Sequence, residues 1–178
     1  MRVQLTVLAA LLLLSPFARA EVLEASDGGF SVRNSVTVKA ASEEVWATMT
    51  GQIAEWWNPD HSWSADAGNL YMDAKLGGCF CEHLPATGGS VEHLRIIYFS
   101  PGQEIRFDGA LGPLQGMATG GRMIWTIEGT GEGTRITFTY KVHGWAEGGL
   151  AGIAPAVDGV IRQQLERLAE RVDSTAPG

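Results

Sequence analysis

From Phe30 onward the chain alternates apolar and polar positions with a period of two. Phe30, Val32, Val36 and Val38 share one face, with Asn34 as its single polar member. Leu70, Met72, Ala74 and Leu76 alternate with Tyr71, Asp73 and Lys75, and Ile105 and Phe107 alternate with Arg106 and Asp108. Met123, Trp125 and Ile127 alternate with Arg122 and Thr126, and Ile136, Phe138, Tyr140 and Val142 with Arg135, Thr137, Thr139 and Lys141. Such runs predict strands of an antiparallel sheet with one face buried and one in water. Segments 85–90 and 129–133 carry turn chemistry, and the pairs Gly77-Gly78, Gly88-Gly89 and Gly120-Gly121 read as turns and bulges.

A period near 3.6 replaces this alternation in two places. Ser42 is a suitable N-cap, Glu43 and Glu44 follow in the first turn, and Val45, Trp46 and Met49 form a short apolar stripe. Gly51 is the expected stop, before a second short helix ending near Trp57. The last helix is longer, with Pro155 in its first turn. Its stripe runs through Ile153, Val157, Val160, Ile161, Leu165, Leu168 and Val172, and Arg162, Gln163, Glu166, Arg167 and Glu170 cover the other side. A one-sided antiparallel sheet needs a cover, and this helix supplies one. The class is therefore α+β: an antiparallel sheet covered by a long C-terminal helix, with two short helices after the first strand. If the sheet is curved around that helix, a cavity can remain between them.

Residues 1–20 read as a removable signal segment. Arg2 precedes an apolar run from Leu5 to Leu14, Pro16 ends it, and Ala18-Arg19-Ala20 fits a cleavage site. The run is shorter than the roughly 20 residues a spanning helix needs. The expected domains are the signal peptide 1–20, an extension 21–29, one folded domain 30–172 and a tail 173–178. Export implies a secreted or periplasmic protein with no ATP at hand. Loss of Arg2 and Arg19 takes the net charge from −7 to −9, which disfavours nucleic acid as a partner.

The segment from Val36 to Trp46, the pair Trp56-Trp57, the run Gly77-Gly78-Cys79-Phe80-Cys81-Glu82 and the closing helix together resemble the SRPBCC (START-like) superfamily. They are most similar to the branch of heat-shock-protein ATPase activators and polyketide cyclase/dehydrase-like proteins. The resemblance covers about Phe30 to Val172. It implies a helix-grip fold enclosing an apolar pocket, in a superfamily that includes lipid carriers, hormone receptors and cyclases. Co-chaperone work on a cytosolic ATPase does not transfer to an exported chain.

Candidate chemistry concentrates where the alternation fails, in Cys79 to Leu84 and Val91 to Phe99. If Leu84 pairs with Val91, Glu82 lies opposite His93 and both share a face with Phe80 and Arg95. Glu82 and His93 then form either an acid–base pair, with Arg95 steadying an oxyanion, or a structural ion pair. A register shifted by one residue would instead join His93 to Cys79, Cys81 and His83, a ligand set for zinc or copper. Two cysteines this close on a flat strand lie at the edge of disulfide reach, and a bulge near Gly77-Gly78 would shorten the gap; free thiols are the alternative.

An apolar guest would meet the aromatic and glycine-rich loops. Trp57 and Trp63 flank the loop Asn58-Pro59-Asp60-His61, Trp145 opens segment 144–152, and segment 110–117 carries Leu114 and Met117. For Trp57 and Trp63, plugging the core is the competing role, and Trp46 and Trp125 read mainly as core. Asn34, Phe80, Trp125 and Tyr140 on the sheet, with Val157 and Ile161 on the helix, complete the expected lining. Tyr140 would send its hydroxyl to a neighbour, and Asp158 reads as a solvated flank. No nucleophile elbow or phosphate-cradling loop occurs, and no cofactor is implied. Three roles follow: binding of a small hydrophobic molecule, cofactor-independent cyclase, dehydratase or isomerase chemistry, or docking of a protein partner.

Overall fold

The computed structural model describes residues 19–175. Eight antiparallel strands form one sheet, and three helices cover its inner face. The strands are β1 (Arg19–Ser26), β2 (Gly29–Val38), β3 (Leu70–Met72), β4 (Cys79–Leu84), β5 (Gly89–Ser100), β6 (Glu104–Asp108), β7 (Ala118–Thr130) and β8 (Gly133–Trp145). Between β2 and β3 stand α1 (Ser42–Gly51) and α2 (Ile53–Trp56), and α3 (Ala154–Thr175) closes the chain. Strand order is β1-β2-β8-β7-β6-β5-β4-β3, so β2 pairs with β8 across the whole sequence. This is the α+β arrangement that the alternation and the long closing helix predict, in the helix-grip form that the family resemblance implies.

The alternating runs become the regular half of the sheet. Val32, Ile136, Phe138 and Trp125 turn inward with Ile105 and Phe107, while Arg135 and Arg122 stay outside. Leu165, Leu168 and Val172 of α3 pack into this core. Pro155 lies in the first turn of α3, where its missing N–H has no helical partner to lose.

Several assignments differ from expectation. The extension 21–29 is largely an edge strand, because β1 pairs with β2 from Ser26 back to Arg19. Most of the expected signal segment lies outside the described residues, although its last two positions, Arg19 and Ala20, begin β1. The third strand stops at Met72, and Leu76 is left exposed in the following turn. Gly120 and Gly121 sit inside β7 rather than in a turn. At α1 the cap falls one residue earlier than Ser42: Ala41 is the N-cap and its N–H reaches the Glu44 carboxylate.

Candidate functional site

The site begins with a departure from register. Phe80 pairs with Leu94 and Cys81 with Glu92, so His93 is an extra residue on β5, a β-bulge. The hairpin is tighter than either expected register, with Leu84 opposite Gly89 and Glu82 opposite Val91. The bulge turns His93 and Leu94 inward together and sends Arg95 out. Arg95 therefore leaves the candidate catalytic set and pairs with Glu92 at the surface, at 2.6 Å. Glu82 and His93 do meet, on the diagonal across the bulge, with Glu82 Oε2 and His93 Nε2 2.9 Å apart and both side chains buried.

Glu82 is also the anchor of a loop. Its Oε2 accepts from the Trp63 N–H at 3.0 Å and its Oε1 from the Ser64 N–H at 2.6 Å. Burial pushes the carboxyl up, but the hydrogen bonds from Ser64, Trp63 and His93 outweigh it and hold the group below its ordinary value. Burial pulls His93 down, and the attraction of Glu82 only partly offsets that. The pair is thus a carboxylate and a neutral imidazole. Since every group facing Glu82 donates, His93 carries its proton on Nε2, and Nδ1 keeps a lone pair.

The metal set does not assemble. Cys79 and Cys81 form a disulfide with Cα atoms 5.5 Å apart, which removes both as ligands. His83 turns outward and stacks on Tyr71 at 4.6 Å. Among the described residues no group of three His, Cys, Asp or Glu side chains converges to hold a metal.

A cavity of about 440 Å³ opens between the loops and the first half of α3. Trp57, Trp63, His93, Leu114, Met117, Val157 and Ile161 line it, all of them expected site residues. Leu111, Pro113, Ile153 and Val160 also line it, with Asp60, His61 and Ser62 at the loop. Val157 and Val160 belong to the apolar stripe of α3, yet both remain half-exposed because they face this space.

Other expected lining residues lie elsewhere. Phe80 is sealed between Trp57 and His93, with ring centroids 4.8 and 4.9 Å away. Trp125 is core, stacked on Phe138 at 4.6 Å, while Trp46 packs half-buried against Phe99. Trp145 is 69% exposed at the end of β8 and does not line the cavity. Asn34 is fully buried and donates from Nδ2 to Asp158 at 2.9 Å, so Asp158 faces the sheet and is no solvated flank. Asn34 Oδ1, Trp56 Nε1, Trp125 Nε1 and Gln164 Nε2 are buried without a partner among the described residues.

Two fastenings shape the cavity walls. Asn58 N–H donates to Gln164 at 2.7 Å and Asn58 Nδ2 to Gln163 at 2.9 Å, tying the Trp57–Trp63 loop to α3. On the other wall, the Tyr140 hydroxyl accepts from Leu111 N–H at 3.0 Å and donates to Gly109 O at 3.4 Å. Tyr140 is thus a brace behind the 110–117 segment rather than a lining residue, and burial pushes its hydroxyl up to about 12. A Cβ on Gly121 would meet the Tyr140 ring at 2.8 Å, so that position has no room for a side chain. The sequence pattern places Gln163 on the polar side of α3 and gives Gln164 no role; the fastening role of both depends on where the loop lands.

Comparison with known proteins fits this geometry. The family described as "Polyketide cyclase / dehydrase and lipid transport" matches residues 29–173. The chain belongs to this family. Its fold is shared by a protein from Chromobacterium violaceum at 19% identity and TM-score 0.54, covering 80% of this chain and 96% of that one. A protein from Mesorhizobium loti aligns at 15% identity and TM-score 0.60, covering 83% and 99%. One from Rhizobium leguminosarum aligns at 17% identity and TM-score 0.59, covering 89% and 99%. No curated protein matches the chain. These likenesses carry the fold, and family membership carries the expectation of a ligand-binding START-like domain.

Proposed function

We propose that this family member binds a small hydrophobic molecule in the cavity between its loops and α3, and does so after export. The cavity of about 440 Å³ carries the reading, since its walls are mostly apolar and it falls in the size range of small-molecule sites. The apolar leader run at Leu5–Leu14, followed by Ala18-Arg19-Ala20, supports export. No helix among the described residues is long and apolar enough to cross a membrane.

A native mass spectrum of the protein purified from the periplasm of an expressing Gram-negative host tests both parts. The expected result is a mass beginning at Glu21 with an organic adduct that is lost on denaturation. An uncleaved chain recovered only from the cytoplasm would remove export. A protein without adduct that also takes up none of a panel of apolar dyes would remove binding.

A second reading rests on the buried Glu82–His93 pair bordering the same cavity. A carboxylate that fixes the imidazole tautomer leaves Nδ1 able to take a proton from a bound molecule, the chemistry of an isomerase, cyclase or dehydratase. Under this reading Glu82→Gln and His93→Gln abolish turnover while retaining the guest. Under the carrier reading the bound molecule leaves the protein chemically unchanged.

A further inference from the structure

We infer that the cavity selects neutral apolar molecules carrying a hydrogen-bond donor, an O–H or N–H that meets His93 Nδ1 at the buried end, and rejects carboxylates. The inference deepens the proposed binding role and rests on it. His93 is 4% exposed, while the other polar lining residues, Asp60, His61 and Ser62, are exposed or half-exposed on the loop. The deep part of the cavity is otherwise bounded by Trp57, Leu114 and Ile161. A guest that enters fully therefore finds one polar group there.

The chemistry of that group follows from its partners. Glu82 accepts from Trp63 N–H, Ser64 N–H and His93 Nε2, so the Nε2 proton is committed to the carboxylate. Nδ1 has no partner among the described residues and is not among the polar atoms sealed from solvent, so it is the atom left to face the cavity. With Nε2 protonated, Nδ1 of the neutral ring is an acceptor only. Burial of the ring disfavours a second proton on it.

An acceptor at the end of an apolar cavity is satisfied by a donor and left unpaired by an ether or a hydrocarbon. A carboxylate guest fares worse, because it brings a charge into an apolar site where it faces a lone pair with the Glu82 charge behind it. The Cys79–Cys81 bridge lies on the strand that carries Glu82 and closes by covalent bonding a metal route to anion binding at this point. His93 is thus a specificity-determining residue for the guest's polar end.

Isothermal titration of the purified protein with 2-naphthol, 2-methoxynaphthalene, naphthalene and 2-naphthoate tests this. The expected order is 2-naphthol roughly tenfold tighter than the ether or the hydrocarbon, with naphthoate weakest. The double variant Glu82→Gln/His93→Leu removes the imidazole without stranding a buried charge, and it should equalise naphthol and ether. His93→Gln presents an amide N–H to Glu82 and a carbonyl to the cavity, so it should keep the naphthol preference. A cooperative thermal transition for each variant separates lost selectivity from lost folding. Equal affinities for naphthol and ether in the unaltered protein would overturn the inference and leave the binding role standing. So would a preference for naphthoate, or a naphthol preference that survives in the double variant. Failure of all four probes, naphthalene included, would remove the binding role itself.

Discussion

The two halves of the sheet obey different rules. In β2, β8 and β7 the register runs unbroken, from Gly29 opposite His143 to Val38 opposite Thr134 and from Ala118 opposite Trp145 to Thr130 opposite Gly133. In β4, β5 and β6 it slips twice, at Phe80/Cys81 and at Ile96/Tyr98. The regular half packs against α3 and is closed around Trp125, Phe138 and Leu165. The irregular half borders the Trp57–Trp63 loop and the cavity. A slipped register spends stacking regularity to bring consecutive side chains, here His93 and Leu94, to one face. At Phe80/Cys81 the break turns the polar His93 inward beside Leu94, whereas Asn34 on unbroken β2 comes inward by alternation alone.

The largest effect that tests this division is Phe138→Ala. Phe138 is fully buried and stacked on Trp125, so truncation should destabilise the protein by about 3–5 kcal/mol in denaturant unfolding. A loss below about 1 kcal/mol would mean that the regular half is not the packed half.

An intermediate effect probes the irregular half through the buried carboxylate of Glu82. Glu82→Ala leaves two backbone N–H groups and His93 without their acceptor, and should destabilise the fold by about 3 kcal/mol. The pH dependence has a definite sign. Both groups titrate lower in the folded protein than their ordinary values of 6.5 for His93 and 4.5 for Glu82. Below those values the unfolded chain takes up the protons more readily, so the stability each group contributes is complete above them and is lost as pH falls. Stability should decline first below pH 6.5 through His93, then below pH 4.5 through Glu82. The Glu82→Gln/His93→Leu variant should show a flatter profile over both windows, measured as urea midpoints. An unchanged slope would place the acid sensitivity elsewhere.

These contrasts also explain what was legible in the sequence. Val32, Ile136 and Phe138 could be assigned to the core because strict alternation leaves one choice of face. β1 could not, since Glu21-Val22-Leu23-Glu24 has no alternation and lies exposed along the sheet edge. Glu82 and His93 were brought together from a register that does not occur. They meet because the bulge restores on the diagonal what the tighter turn removes. The same bulge defeats the parity that placed Arg95 beside them. Phe80 and Trp125 were assigned to the correct face, but parity separates inside from outside and cannot separate core from cavity. That distinction depends on what packs against the side chain, and Trp125 is covered by Trp56 of α2 at 5.8 Å and flanked by Phe107 of β6 at 4.9 Å. The Asn34–Asp158 bond and the Gln163 and Gln164 fastenings join positions more than a hundred residues apart, so no local pattern reports them.

The smallest effect on stability should come from the helix face that both halves share. Along α3, Ile161, Leu165 and Leu168 are buried, whereas Val157 and Val160 continue the same stripe and face the cavity. By spacing alone these positions are equivalent. By packing they are not: enlarging a side chain in a filled core forces strain, while enlarging one that faces a void finds space. Val157→Phe should therefore change stability by no more than about 0.5 kcal/mol, the scale of substitutions away from packed features. It should nevertheless weaken 2-naphthol binding by at least about tenfold, because the added ring occupies part of the space the guest needs. Thermal melts and titrations on the same preparation separate the two quantities. Stability lost in step with affinity would show the first half of α3 to be ordinary core, and the contrast between the halves would end at the sheet. Affinity lost with stability retained locates the division within one helix, between Val160 and Leu165, where a single apolar stripe passes from guest to core.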